Sequence, residues 1–207
     1  MEMAPELLLE HIAAILFVLW VVLSITGRFY PYADRPVPVR LAVVAAIAAI
    51  TIAPLDSLSV SEGLFTLNPT FSIGLTAFLA LESLKRLTGI KVLSDRNISL
   101  FAVWNLAIGS LLYSSTIGLF PFDIYYMGYG FSHIFWMLGA LTIVLILAGN
   151  TLQWVFIAYA GAWRLGLLQS PNLFDYIIDP FLFFISLGIL IGKGIHMSRT
   201  RFASSKA

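Results

Sequence analysis

Cysteine is missing from all 207 residues, which removes disulfides, thiolate metal sites and cysteine nucleophiles together. Charge is scarce too: 11% of the residues are Asp, Glu, Lys or Arg, against roughly 25% in soluble domains. With 59% hydrophobic residues, a globule of this size has too little polar surface to cover itself, so much of its exterior must face hydrocarbon. The absence of a basic arm or a basic-aromatic stripe argues against nucleic acid as a partner. No ligand spacing points to a metal or a cofactor. The first ten residues carry Glu2, Glu6 and Glu10 but no Lys or Arg, and a secretory signal needs a positive leader. The first apolar segment is therefore expected to remain as a helix.

What is present is a series of apolar runs. Crossing a bilayer as a helix takes about 17–25 predominantly apolar residues. Interruptions by Pro, Gly and charge divide the chain into seven candidate spans, at residues 7–26, 39–54, 70–87, 98–118, 133–148, 151–168 and 180–196. Asn68-Pro69, Ser132 and Asp179-Pro180 have the character of helix starts, where an acceptor or a proline is tolerated. The break between the fifth and sixth runs rests on Ala148-Gly149-Asn150-Thr151 alone. The expected fold is one all-α membrane domain over residues 1–207, a bundle of about seven transmembrane helices.

Basic residues set the orientation, because cytoplasmic loops are enriched in Lys and Arg. Arg28, Arg35 and Arg40 fall in the first loop, Lys85, Arg86, Lys91 and Arg96 around the third, and Lys193, Arg199, Arg201 and Lys206 at the C-terminal end. With seven spans these groups share one face, and eleven of the twelve basic residues lie there, Arg164 being the exception. The acidic residues sort oppositely, eight outside and three inside, leaving the faces at −7 and +8. The expected topology has the N-terminus outside and the C-terminus in the cytoplasm, in a plasma membrane of bacterial inner-membrane type. A six-span chain without the Asn150 break would put the basic tail on the wrong side.

Two outer segments hold the residues that can carry chemistry. Leu119 to Trp136 packs eight aromatics around Asp123 and His133. Tyr and Trp gather where bilayer meets water, so an interfacial belt is the plainer expectation. A platform for a lipid or partner would use Phe122, Asp123, Tyr125, Tyr126, Tyr129 and Trp136. The second segment, Asn172 to Pro180, holds Asp175 and Asp179; Asp179 is expected to cap the last helix, and Asp175 to pair with Arg164. If the chain is an enzyme, Asp123, His133, Asp175 and Asp179, at one depth with Glu10-His11, are the catalytic candidates.

None of the seven runs has an ionisable residue at its midpoint, which argues against ion coupling or proton pumping. Glu82 is expected to pair locally with Lys85 or Arg86, and Lys193, about 20 Å along the last helix at ~1.5 Å per residue, to reach the inner interface. Small residues four apart, Ala45 with Ala49, Ala158 with Ala162 and Gly188 with Gly192, mark expected packing faces within the bundle or against another subunit. Together these features favour a non-enzymatic subunit or assembly partner of a larger membrane complex, with lipids and other membrane-protein subunits as partners. An outer-leaflet enzyme for a lipid or lipid-linked substrate is the alternative, and a carrier for an uncharged or lipidic solute is third.

Overall fold

In the computed structural model residues 5–55 and 57–204 are described, with side chains for 7–54 and 57–198. Glu2, Asp56 and Lys206, which the charge reading uses, lie outside the described residues, as do the side chains of Glu6, Arg199 and Arg201. The described chain is all-helical apart from a two-residue antiparallel pair, β1 (Pro54–Leu55) and β2 (Leu58–Ser59), in which Pro54 faces Ser59 and Leu55 faces Leu58. Its helices are α1 (Pro5–Thr26), α2 (Val37–Ile52), α3 (Val60–Leu67), α4 (Ile73–Thr88), α5 (Asp95–Thr116), α6 (His133–Leu147), α7 (Gln153–Leu165), α8 (Leu173–Ile177) and α9 (Pro180–Ser204).

Three of them, α1 over Leu7–Thr26, α5, and α9 over Pro180–Ser198, are long and apolar enough to cross a membrane. The helices at the other four expected spans are shorter: 16 residues in α2 and α4, 15 in α6 and 13 in α7. Local stops and starts set their ends. Pro54 follows α2, Gly89 closes α4 in the left-handed region, and Gly166 does the same for α7 at φ 63°. These conformations are cheap for glycine and end the ladder of hydrogen bonds. Conversely, α9 runs past the expected boundary because Lys and Arg, though unwelcome in hydrocarbon, are good helix formers.

The break at Asn150 is present as a hairpin. Gly149 turns the chain at φ 59°, the Asn150 side chain accepts from the Leu152 amide at 3.0 Å, and Phe131 and Phe135 at the start of α6 meet Trp163 near the end of α7. The expected start at Asn68-Pro69 is displaced: Asn68 ends α3, and Ser72 caps α4 by accepting from the Leu75 amide at 3.0 Å.

At the centre stands α4, packed against α1, α7, α8 and α9. Leu75, Phe78 and Leu79 on it are buried, Phe78 stacks on Phe101 of α5, and Trp20 of α1 meets Phe78 edge-on. Gly74 lets this helix close on its neighbours, since a Cβ there would lie 2.3 Å from the Ile177 carbonyl oxygen. The bundle thereby acquires two unlike ends. One, where α4 and α9 begin, carries Asp123, Asp175 and Asp179 and is called the acidic end below. The opposite end carries Arg40, Arg86 and Lys193, whose ammonium donates to the Asp95 carbonyl and the Ser99 hydroxyl at the start of α5.

Candidate functional site

The two aromatic-acidic segments singled out by sequence meet at the acidic end. After α5, Asp123 accepts from the Tyr125 amide at 2.9 Å, a local turn typical of Asp. Ser115 fixes the same loop, accepting from the Ile124 amide at 3.0 Å. The chain then makes a 3-10 turn over Tyr125–Gly128. On the other segment Asn172 caps α8, its side chain accepting from the Phe174 amide at 2.9 Å. The Asn172 side-chain nitrogen reaches across and donates to the Tyr125 carbonyl at 2.8 Å, while Tyr129 and Asn172 form an isolated antiparallel bridge. The closeness demands glycine at position 128, where a Cβ would sit 1.9 Å from the Asn172 side-chain oxygen.

A third link is a side-chain pair. The Tyr125 hydroxyl donates to Asp175 at 2.7 Å. Burial first, and then the acceptor carboxylate, push the Tyr125 phenol upward from its ordinary pKa, so it stays a neutral donor. Asp175 was expected to pair with Arg164. Instead Lys85–Glu82 is the one ion pair among the described residues; Arg164 is exposed and lines a separate open cleft with Gln169 and Ser170. The cause is local: the last turn of α7 leaves Arg164 exposed, and the Tyr125 phenol takes the carboxylate.

Behind this link lies a cavity of about 340 Å³, lined by Asn68, Tyr113, Tyr125, Asp175 and Asp179 with Phe174 among its apolar walls. Asp179, 5% exposed, joins two helix starts: one oxygen accepts from the Leu182 amide at 3.0 Å and caps α9, the other from the Ser72 amide at 2.9 Å at the head of α4. Burial raises its pKa, opposed by those hydrogen bonds. Asn68 is buried, and its side-chain nitrogen has no partner. The site therefore offers acceptors on two carboxylates, neutral phenols and an idle amide donor, a set suited to binding a small polar group.

The other candidates lie elsewhere. Asp123 and His133 are exposed and do not line the cavity. His11 packs its ring on Phe65 at 5.4 Å, and no group of three or more His, Asp or Glu among the described residues could hold a metal. The four-residue catalytic set thus divides, with Asp175 and Asp179 together and Asp123 and His133 apart. The aromatic residues remain outward: Phe122 is 58% exposed, Tyr126 74% and Trp136 69%, with Tyr129 exposed beside them. Among the small residues only Ala162 is buried and Ala158 half-buried; Ala45, Ala49, Gly188 and Gly192 face outward. A packing role within the bundle is therefore corrected for those four: α5 meets α9 instead through Gly109, whose added Cβ would strike Phe183 at 2.5 Å.

Sequence reasoning missed Asn68, Ser72, Tyr113 and Asn172 as site residues. The signals were there in part, since Ser72 and Asn172 each precede a helix as caps do. Comparison with protein-family models, with curated proteins and with solved structures gives no match for this chain.

Proposed function

We propose that this chain is a seven-span protein of a bacterial inner membrane, with the N-terminus outside and the C-terminus in the cytoplasm, acting as a non-enzymatic subunit or assembly partner of a larger membrane complex. Its contact with a partner subunit is the aromatic and acidic rim at the outer face. The observation that carries this reading is that Phe122, Tyr126 and Trp136 stay exposed on a segment fastened at Asn172 and Asp175. A loop held in one shape loses little entropy on binding, and exposed aromatics are the residues that anchor protein interfaces. The outward Ala and Gly faces of α2 and α9 add surfaces on which another helix can pack closely in lipid. Short α2, α4, α6 and α7 span with help from flanking residues and local thinning of the bilayer.

The test is purification in mild detergent. A companion present in stoichiometric amount, lost from the Tyr126→Ser/Trp136→Ser variant and kept by Trp154→Ser, supports the reading; Trp154 is an equally bare aromatic at the opposite end. A wild-type preparation with no companion removes it. One observation favours a second reading, an enzyme acting on a lipid-linked substrate at the outer leaflet: Asp175 and Asp179 share a cavity with two tyrosines and Asn68. Asp175→Asn separates the two: its amide oxygen still accepts from the Tyr125 hydroxyl, so companion binding survives under the first reading, whereas the loss of the carboxylate abolishes turnover under the second.

A further inference from the structure

The basic end carries a second cavity, unrelated to the rim. It measures about 200 Å³ and is lined by Leu23, Gly27, Pro31, Tyr32, Ala33 and Arg86, so α1, the 3-10 turn Tyr32–Asp34 and the last turn of α4 enclose it. Arg86 lines it, and its Nε is buried without a hydrogen-bond partner. One helix away, Arg40 donates through Nη1 to the Leu87 carbonyl at 3.0 Å, yet its own Nε is also buried and unpartnered. Among the described residues neither guanidinium has a carboxylate: Glu82 is taken by Lys85 at 3.0 Å, and Asp34, on the adjoining turn, is exposed and forms no ion pair there. Two buried guanidinium Nε–H groups without acceptors are costly in a membrane protein unless an anion meets their arginines.

We infer that this cavity binds a phosphate group, and that its source is the headgroup of an anionic phospholipid in the leaflet at the basic end. Arginine presents a fixed fork of donors that matches phosphate oxygens, and basic pockets between membrane helices suit such headgroups. The cavity holds the phosphate beside Arg86, while the exposed face of α2 at Leu41 gives the acyl chains an apolar path. The inference needs the membrane but not the subunit role, so either can fail alone.

The experiment uses the full chain, stripped of lipid in detergent and offered phosphatidylglycerol and phosphatidylcholine in equal amounts, with retained lipid read by native mass spectrometry. Wild type retains phosphatidylglycerol selectively. Arg86→Gln weakens that retention about tenfold, the loss of one charge-assisted hydrogen bond. Ala33→Leu, which fills the cavity while keeping both guanidiniums, weakens it similarly and carries the test if Arg86→Gln does not fold. Sodium phosphate alone separates the sources: displacement of the lipid together with a raised melting temperature assigns the site to free phosphate and overturns the lipid assignment, whereas no effect supports it. Equal retention of both lipids, or wild-type retention by the folded variants, overturns the site itself.

Discussion

Asp179 shows how much one side chain can settle. The proline after it made a capping role legible from sequence, and the cap to Leu182 is there. Its second oxygen, spent on the Ser72 amide, was not legible, because nothing local relates residues so far apart. The raised pKa of Asp179 means that the folded chain holds this proton more tightly than the unfolded chain does. Its contribution is therefore fully present below the ordinary value of 3.8 and is lost as pH climbs through that value toward the raised one. Asparagine does not titrate, so the melting temperature of wild type should fall relative to that of Asp179→Asn over this rise in pH. A difference that stays constant with pH would contradict the assignment. Asp175 marks the limit of reading by charge: it was matched to the nearest cation in sequence, whereas geometry gave it a tyrosine.

Among the elements, helix positions were legible because apolar runs and breakers are local, and helix ends were less so. The reading by hydropathy passed over α3, although Ser59 and Glu62 form a full capping box there, a pattern written in the sequence. Their hydrogen bonds also lower the pKa of Glu62. The juncture of the two aromatic-acidic loops was only half legible: both segments were singled out, but their pairing depends on helix packing. Gly128 is the element on which it turns. Gly128→Ala forces a methyl group into the Asn172 side chain and should cost about 1–3 kcal/mol, the usual range for overpacking. The expected signs are a lower melting temperature and faster proteolysis between α5 and α6. A variant as stable as wild type would show that the loops are not locked.

For the whole molecule, the separation of charge between the two ends is the feature on which the proposed topology rests, and it became legible once the seven apolar runs were counted. The absence of cysteine makes it easy to examine, since any introduced thiol is unique. A membrane-impermeant maleimide should label Tyr126→Cys on intact cells and Lys91→Cys only after permeabilisation, both positions being exposed. The reverse pattern would invert the proposed topology. What the sequence left unreadable at this scale is which helix sits in the middle: α4 carries charge near its end and is not the most apolar, yet it packs against α1, α7, α8 and α9.

The bond between Ser72 and Asp179 joins residues 107 positions apart, so the head of α4 depends on a residue synthesised much later. A nascent chain can seat its first helices early, but the head of α4 waits for an acceptor that the ribosome delivers late. Until then that amide has no protein partner at a site meant to be dry, which costs free energy. A chain cut ahead of Asp179 thus leaves the Ser72 amide without the carboxylate that closes the head of α4.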